Sequence, residues 1–365
     1  MPRAVLSLVL GWMLFALLAC SSADSDTGEA SGSGPGATSG HGASGASGAG
    51  ASAATSSGAG ATGTGGNGTG GNAAEVLVAF IGDSGNGSEF KQVLDLVMAE
   101  KVDAVVHNGD YDYGLDPDAF FATVDGKVGA SFPYFASVGN HDAGAWSDYA
   151  AYLKTHMDAV GVTLDDPDMM DQKFSFHWRG LHNVFVGENG NNAEFAQFID
   201  DQFSANETDW KICGWHKNQA AMQIGGKGDE MGWDVYENCR KHGAIITTGH
   251  EHSYERTKTM TSATNQEVDT TCADPAAECV SPGRTFVIVS GLAGVGIRDQ
   301  ERCLPTTAPY GCKGEWASVY TSDQGAKYGA LFVVFNVGGD PMKAHGYFKN
   351  VDAEVIDQFD VTRSP

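Results

Sequence analysis

Hydrophobic positions along this chain fall into two kinds of run, one unbroken and one spaced, and their alternation reads as strand, helix, strand. Val76-Leu77-Val78-Ala79-Phe80-Ile81 is unbroken, as expected of a strand buried on both faces. It ends in Gly82-Asp83-Ser84-Gly85-Asn86-Gly87, which is turn chemistry. Phe90, Val93, Leu94 and Val97 then recur at helical spacing, which predicts a helix over 88–100. Ala104-Val105-Val106 predicts the next strand and runs into Asn108-Gly109-Asp110-Tyr111-Asp112-Tyr113. The result is a βαβ unit with a parallel sheet, whose ligands gather at the carboxyl ends of the strands. Asp83 and Asp110 both lie there. A helix over 116–124, with Pro117 suited to its first turn, leads to a third strand over 133–138 that ends in Gly139-Asn140-His141-Asp142. Three successive strands thus finish in Gly-Asp, Gly-Asp and Gly-Asn-His, a series that predicts a constructed site.

Further along, the pattern predicts a helix over 146–156, paired strands over 174–178 and 183–186, an amphipathic helix over 193–203 and a short strand over 211–215 that stops at His216. Ala244-Ile245-Ile246 leads into Gly249-His250-Glu251-His252. In an extended backbone, side chains at i and i+2 point the same way, so His250 and His252 are expected to reach one shared object. The region 270–320 reads as loop-rich apart from a strand over 285–289. Strands over 330–337, 344–348 and 355–361 suggest a second, mainly antiparallel sheet.

The first 74 residues have a different character. Arg3 precedes an apolar run from Val5 to Leu18, followed by Ala19 and Cys20. The run is too short and too near the terminus for a permanent span and reads as a targeting segment. Leu17-Leu18-Ala19-Cys20 resembles the lipobox of bacterial lipoproteins, which implies a lipid anchor at Cys20 and a place at the cell envelope or surface. An ordinary secretory signal ending near a cysteine is the alternative, and both predict export. Residues 21–74 are almost entirely Gly, Ser, Ala, Thr and Asn, with no apolar periodicity. Such a segment cannot bury enough surface to offset chain ordering and reads as a disordered linker, leaving 75–365 as the folded domain.

Composition narrows the partners. With 46 acidic against 22 basic side chains the formal net charge is −24, which argues against a nucleic-acid polyanion as partner. A small anion stays compatible if metal ions supply the local positive charge. Once Cys20 is set aside, the remaining cysteines number six with no CxxC spacing, so disulfides are expected in an exported protein. Short loops favour Cys272 with Cys279 and Cys303 with Cys312, leaving Cys213 with Cys239.

The strand-end residues Asp83, Asp110, Tyr113, Asn140, His216, His250 and His252 offer two carboxylates, a phenol, an amide oxygen and three imidazoles. These are too many donors for one zinc and suit two ions sharing a carboxylate. A two-metal site clamps the attacking and leaving oxygens of an in-line displacement at phosphorus and lowers the pKa of a bound water.

The series GD-x-G, GD-x-x-Y, GNH-D, a lone His and GH-x-H resembles the calcineurin-like metallophosphoesterases and, within them, the purple acid phosphatases. The wider superfamily usually places a ligand His two residues after the first Asp, where this chain has Gly85. Purple acid phosphatases likewise have Gly there and gain a tyrosine three residues after the second Asp, here Tyr113, whose phenolate suits iron(III). The resemblance implies an α/β fold, a four-layer αββα sandwich of two mixed β-sheets flanked by helices. It implies a ferric ion on Asp83, Asp110, Tyr113 and His252, and a divalent zinc, iron or manganese on Asp110, Asn140, His216 and His250. Asp110 would bridge, and His141 would face the substrate phosphate as a charge stabiliser or proton donor, a structural histidine being the alternative. The activity so implied is hydrolysis of small phosphate monoesters by a metal-activated hydroxide, with an acidic optimum. A phosphodiesterase or extracellular nucleotidase on the same fold, or a surface-binding lipoprotein without turnover, are the alternatives. One departure stands out: the family commonly has a proline-containing segment after its lone histidine, whereas here His216-Lys217-Asn218-Gln219 follows, with Lys217 a candidate phosphate contact.

Overall fold

The strand-helix alternation of the first third is observed as β1 (Val76–Ile81), α1 (Ser88–Ala99), β2 (Ala104–Asn108), α2 (Pro117–Val128), β3 (Tyr134–Ser137) and α3 (Trp146–Ala159). The computed structural model describes residues 73–165, 169, 172–188, 190, 192–205 and 210–365. The expected signal segment, Cys20 and the linker through residue 72 lie outside the described residues. Asp116 caps α2 by accepting the Ala119 N–H at 3.0 Å, with Pro117 opening the helix, as its lack of an N–H permits. The middle of the chain forms β4 (Phe174–Trp178), β5 (Leu181–Phe185), α4 (Asn192–Ser204), β6 (Trp210–Gly214), α5 (Trp233–Lys241) and β7 (Ile245–Thr248). Then follow β8 (Tyr254–Thr257), β9 (Met260–Ser262), β10 (Glu267–Val268), β11 (Ala277–Val280), β12 (Val287–Ser290), β13 (Trp316–Tyr320), β14 (Gly329–Phe335), β15 (Lys343–Asn350) and β16 (Val355–Arg363).

Two seven-stranded sheets carry the fold, ordered β11-β16-β15-β14-β1-β2-β3 and β13-β8-β12-β7-β6-β5-β4. In the first, β1, β2 and β3 run parallel and β14 joins β1 antiparallel. In the second, β5, β6, β7 and β12 are parallel. The sheets meet face to face, with Tyr254 stacked on Phe348 at 4.3 Å, Trp210 edge-on to Phe335 at 5.3 Å and the Ser290 hydroxyl donating to the Phe80 carbonyl. Helices α1 to α3 cover the first sheet, and α4 and α5 cover the second with their own buried cluster. This is the four-layer α/β sandwich. All but one residue of β1 is buried, which is why its sequence is apolar throughout; each large side chain so buried contributes roughly 1.5–3 kcal/mol.

The structure corrects the sequence reading in several places. The last three strands, β14 to β16, do not form the second sheet but extend the first. The seven residues of β14 are almost wholly buried, so an interior place beside β1 suits them better than a solvated edge. Helix α5 was not expected: it is nine residues long and buries only Val235, Tyr236 and Cys239, too short a stripe to register as a period. The region 270–320 holds β11 and β13 besides β12. Among the described residues, the Ala73 N–H donates to Gly339 O at 3.1 Å. The three disulfides Cys213–Cys239, Cys272–Cys279 and Cys303–Cys312 are present, the first tying β6 to α5. Among the described residues no helix is long and apolar enough to cross a membrane.

Candidate metal centre

The carboxyl ends of β1, β2 and β3 from one sheet and of β6 and β7 from the other meet, and the expected donors converge there. Four of them sit in the left-handed backbone region: Asp83 (φ 56°), Asp110 (φ 58°), Tyr113 (φ 58°) and His250 (φ 70°). Each such residue costs of order 1–3 kcal/mol and persists only where its surroundings over-determine it. Here they do. The buried Asp142 carboxylate accepts N–H groups from Asp110 (2.7 Å), Tyr111 (2.8 Å) and Gly139 (2.8 Å), stitching the ends of β2 and β3 together. Glycines allow the close approach: a Cβ on Gly249 would lie 2.8 Å from both Asn108 O and Asp83 Oδ2, and one on Gly139 only 2.2 Å from Asp110 Oδ1.

His250 and His252 do not act as a pair on an extended strand. With His250 left-handed and the chain bending after β7, the two rings diverge. His250 Nδ1 lies 3.1 Å from His216 Nε2, which is itself 3.1 Å from Asp110 Oδ2. His252 Nε2 lies instead 3.3 Å from Asp83 Oδ1 and 3.2 Å from the Tyr113 hydroxyl, which is 3.3 Å from Asp83 Oδ1. The cluster therefore has two lobes, Asp110-His216-His250 and Asp83-Tyr113-His252, linked by His216 Nε2 at 3.9 Å from Asp83 Oδ1. The donor atoms of the first lobe all lie within 4.8 Å of one another. Asn140 directly precedes His141, and its buried Oδ1 has no hydrogen-bond partner. His141 donates its backbone N–H to Asp110 Oδ1 at 2.9 Å, while its half-exposed ring packs on Tyr113 at 4.3 Å with Nε2 4.0 Å from Asp110 Oδ2. Lys217 is shared by Glu188 (3.2 Å) and Glu230 (3.5 Å). Tyr111 and Asp112 stay outside: the Tyr111 hydroxyl donates to Ser137 O, and Asp112 accepts three N–H groups of the following turn.

The outer nitrogen of each imidazole fixes the inner one. His216 Nδ1 meets Asn108 O at 2.7 Å, His252 Nδ1 meets Gly296 O at 3.0 Å, and His250 Nε2 meets Glu230 Oε2 at 2.8 Å. A carbonyl or carboxylate can only accept, so the N–H of each ring sits on that outer nitrogen and the inner nitrogen presents a lone pair to the cluster. Acceptors behind metal-binding imidazoles set tautomer and orientation in this way. Inner nitrogens 3.1 Å apart, beside two carboxylates, require a positive charge among them. Without a cation that charge is a proton. Burial opposes protonation of His216, but Asp110 and Asp83 outweigh it and lift its pKa to about 10. Burial likewise would raise Asp110, yet His216 holds it below the usual carboxylate range. His250 is pulled down to about 4 by burial, and burial together with the Asp83 and Asp110 charges drives the Tyr113 phenol well up. The set of two carboxylates, a phenol, an unpartnered amide oxygen and three aimed imidazoles fits a pair of metal ions. Gly85 offers no alternative ligand, since it has φ +60° and a Cβ there would meet Val295 at 2.7 Å.

Glu230 and the carbonyls of Asn108 and Gly296 were not picked out from the sequence, and Asp142, quoted within the GNH-D motif, was given no role there. Asp142 directly follows His141 and so carried a signal; Glu230 lies in a polar loop before α5 and carried none.

The model of the family described as calcineurin-like phosphoesterase matches residues 76–254. No curated protein matches the chain in sequence. Among solved structures, a purple acid phosphatase from yellow lupin (Lupinus luteus) seeds is similar over 80% of this chain and 54% of its own, with 16% identity and a TM-score of 0.57. GAP50, described as the anchor in the inner membrane complex of Plasmodium, is similar over 80% of this chain and 90% of its own, with 11% identity and a TM-score of 0.50. The match spans about half of the lupin protein, and at these identities both likenesses concern the fold.

Proposed function

Because residues 76–254 are a calcineurin-like phosphoesterase domain, we propose that this protein is an exported phosphate monoesterase of the purple acid phosphatase type, lipid-anchored at Cys20. The observation that carries the finer assignment is the Asp83-Tyr113-His252 lobe, in which a phenol stands 3.3 Å and 3.2 Å from the other two donors, combined with glycine at position 85. In this reading Asp83, Asp110, Tyr113 and His252 hold a ferric ion and Asp110, Asn140, His216 and His250 a divalent one, zinc, iron or manganese. Bound metals would supply Lewis acidity toward the phosphate oxygens and a water of lowered pKa. The chain's own part is orientation and proton handling. Asp142 holds the backbone of Asp110, and the acceptors behind the three imidazoles fix their lone pairs. His141, with its ring half exposed beside the donors, is placed to stabilise phosphate charge or protonate the leaving alkoxide. Lys217 would contact a phosphate oxygen only by sharing a charge already engaged by Glu188 and Glu230. The disulfides support an oxidising, exported setting, and a mass measurement of the mature N-terminus with Cys20→Ser as control tests the anchor.

The deciding experiment is metal analysis with visible spectroscopy of the purified protein, alongside rates on matched phosphate mono- and diesters. Iron with a phenolate-to-iron band that disappears in Tyr113→Phe is expected, with monoesters hydrolysed faster. An iron-free, colourless and fully active protein overturns the ferric assignment, and faster diester hydrolysis overturns the substrate class. A non-catalytic surface protein is the reading opposed by the intact donor set, and unchanged function of Asp110→Ala would favour it.

A further inference from the structure

A second group of metal-ligating side chains lies away from this centre, where no part of the proposed reaction uses it. His177 on β4 and His182 on β5 face each other across the antiparallel pair, with rings stacked at 4.0 Å. Directly opposed positions in a sheet point to the same face. Asp165, in the segment after α3, is drawn to the same place because its N–H donates to Ser175 O at 2.8 Å, next to an isolated bridge between Leu164 and Phe176. Its Oδ2 stands 3.5 Å from His177 Nε2 and 3.9 Å from His182 Nε2, and ligand atoms of all three residues lie within 4.8 Å of one another. His182 is buried with its ring edge-on to Phe203 of α4 at 5.0 Å, while His177 and Asp165 reach solvent. Along the sheet the group is remote from the first centre. His182 is in register with Lys211, five residues before His216, or about 16 Å at 3.2–3.4 Å per strand residue.

The spacing favours a shared ion over direct hydrogen bonds. A charged N–H···O contact closes to about 2.7–2.9 Å, whereas both Nε2 atoms stop short of the same carboxylate oxygen. Donors around a tetrahedral zinc at about 2.0–2.1 Å sit roughly 3.3 Å apart, close to the separations seen. Two imidazoles and one carboxylate suit zinc or a neighbouring divalent transition metal, and the exposed side leaves room for water as the remaining ligand. We propose that Asp165, His177 and His182 form a third metal site, binding one divalent transition-metal ion that fastens the segment after α3 onto the β4-β5 hairpin.

The test is equilibrium dialysis of the wild-type protein, Asp165→Asn and His177→Gln against Zn2+, followed by counting of zinc per chain and of phosphoester turnover. Both variants are expected to bind one zinc fewer than the wild type with turnover unchanged, and added zinc should raise the wild-type melting temperature more than theirs. Equal zinc content in all three proteins overturns the proposal. Should His177→Gln fail to fold, Asp165→Asn decides alone, because its side chain is exposed and its backbone bond to Ser175 is retained. The result is independent of the proposed phosphatase activity, since the two sites share no residue.

Discussion

Replacing Glu230 by glutamine tests whether the acceptor behind His250 matters to metal binding. Glu230 Oε2 takes the Nε2–H of His250 at 2.8 Å and also faces Lys217 at 3.5 Å from its other oxygen. The amide oxygen of glutamine can still accept the imidazole N–H, so the tautomer survives and the charge does not. A hydrogen bond to a charged group is worth about 1.5–3 kcal/mol and a neutral one about 0.5–1.5. The difference of the mid-range values, about 1.25 kcal/mol, is roughly an eight- to tenfold loss of affinity for the divalent ion, at the lower end of the 10–100-fold seen for partners behind metal-binding histidines. Glu230→Ala removes the acceptor altogether and should approach 100-fold. The assay is chelator competition for zinc, read as free zinc at half occupancy, with turnover measured in saturating metal to separate binding from chemistry. Excess zinc should restore most activity to Glu230→Gln. Because Gly296, not Glu230, backs His252, the phenolate-to-iron band should be unchanged. Zinc affinity equal to wild type, or equal loss from both lobes, would refute the reasoning.

Other consequences can be measured directly. Asp142→Asn turns an amide N–H2 toward at least one of the three N–H groups that the carboxylate accepts, and should cost about 1–3 kcal/mol; an unchanged urea midpoint of the metal-free protein would contradict this. Gly85→His forces a branched side chain into φ +60° against Val295, so a loss of about 2 kcal/mol is expected with no gain in metal affinity, checked by calorimetry and chelator competition. For Glu100, burial raises the pKa, but hydrogen bonds from Lys349 and Tyr347 pull it below the usual range. A carboxyl lowered in the folded state stabilises above its unfolded pKa, and that contribution is lost as pH falls. Lys349→Met should therefore destabilise by about 1 kcal/mol at pH 7 and by less at pH 3, as compared in urea titrations at both.

The parts of this protein legible in its sequence were those where one residue type announces both structure and chemistry. An unbroken apolar run followed by Gly-Asp or Gly-Asn marks a buried strand and the polar side chain at its end, so the positions of Asp83, Asp110 and Asn140 just beyond β1, β2 and β3 are legible in the sequence. The cysteine pairing followed from loop length. Less legible were features whose identity lies in the backbone. The carbonyls of Asn108 and Gly296 set two imidazoles, yet every residue has a carbonyl. The positive φ of His250 was hidden because an i, i+2 pair of histidines looks the same in a strand or a bend. Sheet membership of β14 to β16 depends on which edge of β1 is left open, a property of the whole assembly and not of those strands.

One feature of that assembly constrains when the metal centre can form. All seven expected donors lie between residues 83 and 252, but β1, which presents Asp83, is flanked on one side by β14, pairing Val76 with Phe335 and Phe80 with Leu331. A polypeptide halted after residue 254 during synthesis would contain every donor and the full span of the family match, with one edge of β1 unpaired. Competence to load metal should then arrive late, only after the last third of the chain has been made and has threaded back beside the first strand.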